Sequence, residues 1–74
     1  MSVTHTILNA EWTETERHER RLSSGQLRIT IHVERPKARG VGMVRAWVTQ
    51  DLGNETATMS HWSPRTFKIP AVSL

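Results

Sequence analysis

Hydrophobic and polar residues alternate most regularly from Leu27 to Arg35. Leu27, Ile29, Ile31 and Val33 fall on every second position, with Arg28, Thr30, His32 and Glu34 between them. This period predicts a strand with one buried face. Pro36 ends it by removing a ladder donor, and Gly40 and Gly42 give the chain freedom to turn back. On the return, Val44, Ala46 and Val48 lie on one face and Met43 and Trp47 on the other. The whole reads as one long, basic β-hairpin. Its second strand, apolar on both sides, is either central or covered by a partner.

The flanking segments follow the same period less cleanly. Val3, His5 and Ile7 alternate with Thr4, Thr6, Leu8 and Ala10, which predicts a first strand from Val3 to Trp12. Residues 13–22 carry two opposed signals. Thr13 and Glu16 form a T-x-x-E capping box, acids lead, arginines trail, and Gly25 stands ready to end a last turn. A helix polar on every side, however, has no face to pack. A charged edge strand pairing with residues 26–35 is the favoured reading, and a short helix over 14–22 the alternative. Beyond the hairpin, Asp51-Leu-Gly-Asn54 predicts a turn with positive φ at Gly53 and Asn54. Thr56–Trp62 and Thr66–Pro70 read as two further short strands. The fold class is therefore all-β, an antiparallel meander of about five strands curled as a small barrel or half-sandwich. An α+β arrangement is second.

Length narrows this further. With 74 residues the chain is one domain, 1–74, and it has no cysteine. Disulfide staples and thiolate metal sites are excluded together, so stability must come from packing or self-association. No positive leader or long apolar run opens the sequence, and the expectation is a cytoplasmic protein without a membrane segment. Net charge is +3. The charge is unevenly placed: Glu11, Glu14, Glu16 and Glu19 gather near the N-terminus, and most Lys and Arg follow it. An anionic partner for the hairpin half is the natural implication.

The candidate binding residues follow from that asymmetry. Arg28, Arg35, Lys37, Arg39 and Arg45 would form a basic stripe along one hairpin, able to fork onto phosphates or carboxylates. The same residues would also serve as an ordinary solvated face, and the two readings weigh about equally. Trp47 and Trp62 would stack on bases or anchor a protein interface. For Trp47, a role as a bulky core residue outweighs both, because the chain has one Phe and no Tyr. The mixed run from Glu11 to Arg21 is more readily a salt-bridged surface than a recognition segment. His5, His18, His32 and His61 show no linear metal-ligand spacing, and no nucleophile elbow, P-loop or dinucleotide fingerprint occurs. No catalytic residue, metal site or cofactor is expected.

The loop Arg35-Pro-Lys-Ala-Arg-Gly40 is similar to basic β-arms of nucleic-acid proteins in composition, without a family motif. These readings converge on a small non-enzymatic binding protein, with the basic hairpin engaging an acidic protein surface as an inhibitor or accessory factor. Its size suits a phage or mobile element. Net charge is low for a nucleic-acid binder, so a nucleic-acid-binding β module ranks second. A self-assembling subunit, a homo-oligomer, ranks third.

Overall fold

A computed structural model of the chain describes residues 3–60 and the backbone of residues 65–68. It is all-β: β1 (Val3–Ile7), β2 (Ala10–Arg21), β3 (Leu27–Pro36), β4 (Met43–Asp51), β5 (Thr56–Ser60) and β6 (Arg65–Lys68). Each strand pairs antiparallel with its sequence neighbours in the order β1-β2-β3-β4-β5-β6, and the sheet curls into a half-barrel. This is a meander with one strand more than expected. Its local connections also mean that every ladder closes over a short loop, which keeps the entropic cost of pairing low.

The segment Val3–Trp12, expected as one strand, is divided between β1 and β2, and β2 continues through residues 13–21. Leu8 and Asn9 adopt φ of 49° and 64°, and Ile7 pairs with Ala10 across them. That is a two-residue hairpin, whose right-handed twist demands positive φ at both positions. Asn9 is a favoured residue there; Leu8 is not, and its Cβ makes the conformation costly. The helix alternative over 14–22 does not form. Residues 14–21 belong to the twelve-residue strand β2, which pairs with β1 through its first half and with β3 through its second. One turn assignment is also corrected. Asn54 lacks the positive φ that Gly53 has at 83°; its Oδ1 instead accepts from Thr56 N–H at 2.9 Å, a local Asx-type bond.

One residue interrupts the β2–β3 ladder. Glu14 pairs with Val33 and Glu16 with His32, so Thr15 is an extra residue, a β-bulge. Its hydroxyl donates to the His32 carbonyl at 3.2 Å. Before the bulge, even-numbered positions such as Trp12 and Glu14 face inward. After it, Glu16, His18 and Arg20 share the outer face with His32, Thr30 and Arg28.

The inner face holds Ile7, Trp12, Ile29, Ile31, Val33, Ala46, Val48, Ala57 and Met59, all buried. Ile31 and Val48 face each other across β3 and β4 and are inaccessible to solvent. The core role expected of Trp47 falls to Trp12. Trp12 is the core residue, 4% exposed, with its indole N–H donating to the Ile7 carbonyl at 3.3 Å; Trp47 is 57% exposed on the outer face. Register explains this. Trp47 pairs with His32 and Ser60, both outward positions, whereas Trp12 pairs with His5 on the inside.

Charge reaches the inner face where β2 leaves β1. His5 is buried, and its Nε2 lies 2.9 Å from Glu14 Oε1. Arg17 Nη2 donates to the same oxygen at 2.8 Å. Burial pushes the Glu14 carboxyl upward, but the hydrogen bonds from Arg17 and His5 and their charges outweigh it and hold the group below its ordinary value of 4.5. A lowered folded-state pKa means that the carboxylate stabilises the fold above the unfolded-state value. That contribution disappears as pH falls through the folded-state value.

Two outcomes follow. Ile31→Ala should lose about 2–5 kcal/mol in urea unfolding, while Trp47→Ala should leave stability nearly unchanged; equal losses would place Trp47 in the core after all. Glu14→Gln should lose roughly 1–2 kcal/mol at pH 7, with the difference from wild type shrinking as pH drops below about 4. A difference constant from pH 7 to pH 3 would show that the carboxylate charge is not what matters.

Candidate functional site

The expected basic stripe is where sequence and fold diverge most. Arg28 lies on the outer face, but its Nε donates to Asp51 Oδ1 at 2.8 Å across the β3–β4 ladder. The Asp51 carboxyl is held below its ordinary value by this hydrogen bond, and Arg28 is raised by the same contact. Arg45, also outward, faces Glu34 with Nε 3.5 Å from Oε2. Arg35 is on the other side of the sheet. It pairs with Val44, and its guanidinium lies 4.9 Å from the ring centroid of Trp12, a cation–π contact on the core face. Alternation dictates this separation, because Arg35 is an odd number of residues from Arg28 along one regular strand. A continuous stripe is thus not formed.

What remains is a basic hairpin tip. Lys37 and Arg39 lie in the exposed β3–β4 loop, closed by Lys37 N–H donating to the Gly42 carbonyl at 3.1 Å. Gly42 has φ of 114°, which L side chains rarely adopt. Among the described residues neither cation has an acidic partner. Val41, 96% exposed, projects from the same loop.

From that tip an apolar row descends the outer face of β4. Met43, Arg45 and Trp47 occupy successive outward positions, and Met43 and Trp47 are both exposed. Beside the row is a depression of about 250 Å³, lined by Thr15, His32, Glu34, Arg45 and Trp47 with the backbone positions Val33 and Ala46 between them. This volume falls below the range typical of small-molecule sites and is of the size that receives a single side chain. His32 and Trp47 form its aromatic wall, with ring centroids 5.5 Å apart and planes inclined by 32°. Trp62 lies outside the described residues.

Comparison with known proteins gives no match to a family model, a curated protein or a solved structure. The site therefore rests on its own geometry. Of the residues singled out in the sequence, Lys37, Arg39, Arg45 and Trp47 come together on one hairpin. Arg28 is neutralised further down it, and Arg35 supports the core. Met43, Val41, Thr15 and His32 were missed as surface components. The sequence did signal Met43, through apolar residues on both faces of β4. The Thr15 contribution depends on the bulge, which alternation alone does not reveal.

Solvent exposure of the two described indoles gives a direct check. Trp47→Phe should lower the acrylamide quenching of the protein's fluorescence, whereas Trp12→Phe should leave the accessible component in place. The opposite result would invert the assigned faces of the sheet.

Proposed function

We propose that the protein is a small non-enzymatic binding protein that engages an acidic protein surface through its β3–β4 hairpin. The observation that supports this is the composition of the exposed surface there: Lys37 and Arg39 at the tip, with no acidic partner among the described residues, leading into Val41, Met43 and Trp47. Aromatic residues, Met and Arg are enriched where proteins bind proteins, and exposed apolar side chains contribute once water is removed from them. The two cations would steer an acidic partner and fix its orientation, while Trp47 and the depression beside it would take an anchoring side chain. A role as inhibitor or accessory factor requires no more than occlusion of the partner's surface.

Pairing on the outer face is what ranks this reading above nucleic-acid binding. A phosphate backbone is tracked by a row of unneutralised cations. Here Arg28 is paired to Asp51 and Arg45 to Glu34, so along the outer face of the β3–β4 hairpin the described cations without an acidic partner are those of the tip.

The test is a selection from a random peptide library, with binding of the recovered peptides followed by tryptophan fluorescence at low and moderate salt. Recovered sequences should combine Asp or Glu with an apolar or aromatic residue. Their affinity should fall by about tenfold or more in Trp47→Ala. It should also fall in Lys37→Glu/Arg39→Glu. A mixed-sequence single strand that binds instead, with log affinity dropping steeply and linearly in log salt, would move the assignment to nucleic acid. Peptide binding indifferent to Trp47 and to both cations would remove the hairpin from the site.

A further inference from the structure

The outer face carries a second cluster, which shares only His32 with the docking surface. Glu16 and His18 lie two residues apart on β2, after the bulge, and His32 lies directly opposite Glu16 on β3. His18 Nε2 is 3.0 Å from Glu16 Oε1, and His32 Nδ1 is 3.5 Å from Glu16 Oε2. One atom from each of the three residues falls within 4.8 Å of the other two. The imidazole rings stand 5.5 Å apart and inclined by 58°, so they converge on the carboxylate from two directions and do not stack.

We propose that Glu16, His18 and His32 form a site for a borderline divalent transition-metal ion such as Zn²⁺ or Ni²⁺. The donor set is two nitrogens and one carboxylate, the three-ligand arrangement that leaves a coordination position open. Imidazole nitrogen selects these ions over Ca²⁺ and Mg²⁺, which take oxygen. Bonds of about 2.0–2.1 Å at a tetrahedral ion set donor atoms roughly 3.4 Å apart. The two nitrogens approach different oxygens of Glu16, at 3.0 and 3.5 Å, while one donor atom from each residue already lies within 4.8 Å of the other two; rotation of the exposed Glu16 and His18 side chains brings such a set to that spacing. The backbone frame is also fixed. Thr15 ties β2 to the His32 carbonyl, and the ladder sets the two strands in register, so ion binding would need only side-chain rotation.

The bulge makes this site. In an uninterrupted β2, Glu16 and His18 would follow Trp12 and Glu14 to the inner face while His32 stayed outside. No linear His spacing therefore anticipates the cluster; it exists across strands and across a register shift.

Trp47 supplies the reporter, because its ring centroid is 5.5 Å from that of His32. Nickel(II) chloride titrated into the intact chain should quench tryptophan emission in a saturable, one-to-one manner. His18→Ala and His32→Ala should each weaken that binding by at least roughly tenfold. Zinc chloride, which is diamagnetic, should shift the imidazole NMR resonances of His18 and His32 and leave those of buried His5 in place. His18 is exposed, so its variant should retain the native far-ultraviolet circular dichroism; should His32→Ala unfold, the zinc-induced shifts in the wild-type chain decide. Absence of saturable binding at millimolar ion would overturn the proposal. So would binding that survives in the double variant, or zinc shifts confined to other histidines.

Discussion

The extra residue at Thr15 is the constraint on which both faces of the sheet depend. A strand exchanges its faces with every residue, so a single insertion in β2 reverses the side of everything that follows it. Upstream, Trp12 is delivered to the core and Glu14 to its margin. Downstream, Arg17 takes the inward position opposite Ile31, and Glu16 and His18 move outward beside His32. The Thr15 hydroxyl on the His32 carbonyl fixes the place where the reversal happens. Both the core edge and the outer cluster are therefore consequences of one backbone irregularity and one hydrogen bond.

That reversal creates a problem that the chain solves locally. Glu14 and Arg17 fall on the same inner face on either side of the bulge, close to a buried histidine. A lone charge there would be destabilising, since desolvation penalises an ion without a partner. Glu14 instead receives both Arg17 and His5 on one carboxylate oxygen. Further along β2, Glu19 and Arg21 are exposed even though they share the register of Ile29 and Leu27. The end of β2 beyond the reach of β1 is thus a charged edge, which also discourages pairing with other sheets.

The fold class was legible because Leu27–Arg35 has the simplest possible pattern and the loops are short and polar. β3 and β4 lie where alternation puts them. Leu8–Asn9 was hidden because Leu is a poor turn residue and the apolar run continues through it; only Asn9 hinted at the hairpin. Residues 13–22 were ambiguous for a physical reason. Their charges satisfy helix-terminus rules, but pairing with β3 provides a full backbone ladder that an isolated polar helix cannot match. Composition favours a core role for Trp47, but register, to which composition is blind, decides which tryptophan is buried. The basic stripe does not form for a related reason: nearness in sequence is not nearness on a face. Alternation separates Arg35 from Arg28 and Arg45, and cross-strand pairing then gives Arg28 and Arg45 their carboxylates.

Those two pairs bear on recognition as much as on stability. Exposed ion pairs add little to folding, because water screens them and ordering two long side chains costs entropy. Their larger effect here is to leave the middle of the β3–β4 hairpin near neutral while the tip stays positive. Along the outer face of that hairpin, an approaching polyanion would meet cations without acidic partners only at the loop. A partner with a few acidic groups beside an apolar projection would meet attraction at the tip and then Met43, Trp47 and the adjoining depression. On the proposed reading, partners would be discriminated by where charge stops along this hairpin, and the outer-face carboxylates Glu34 and Asp51 would set specificity without touching the partner.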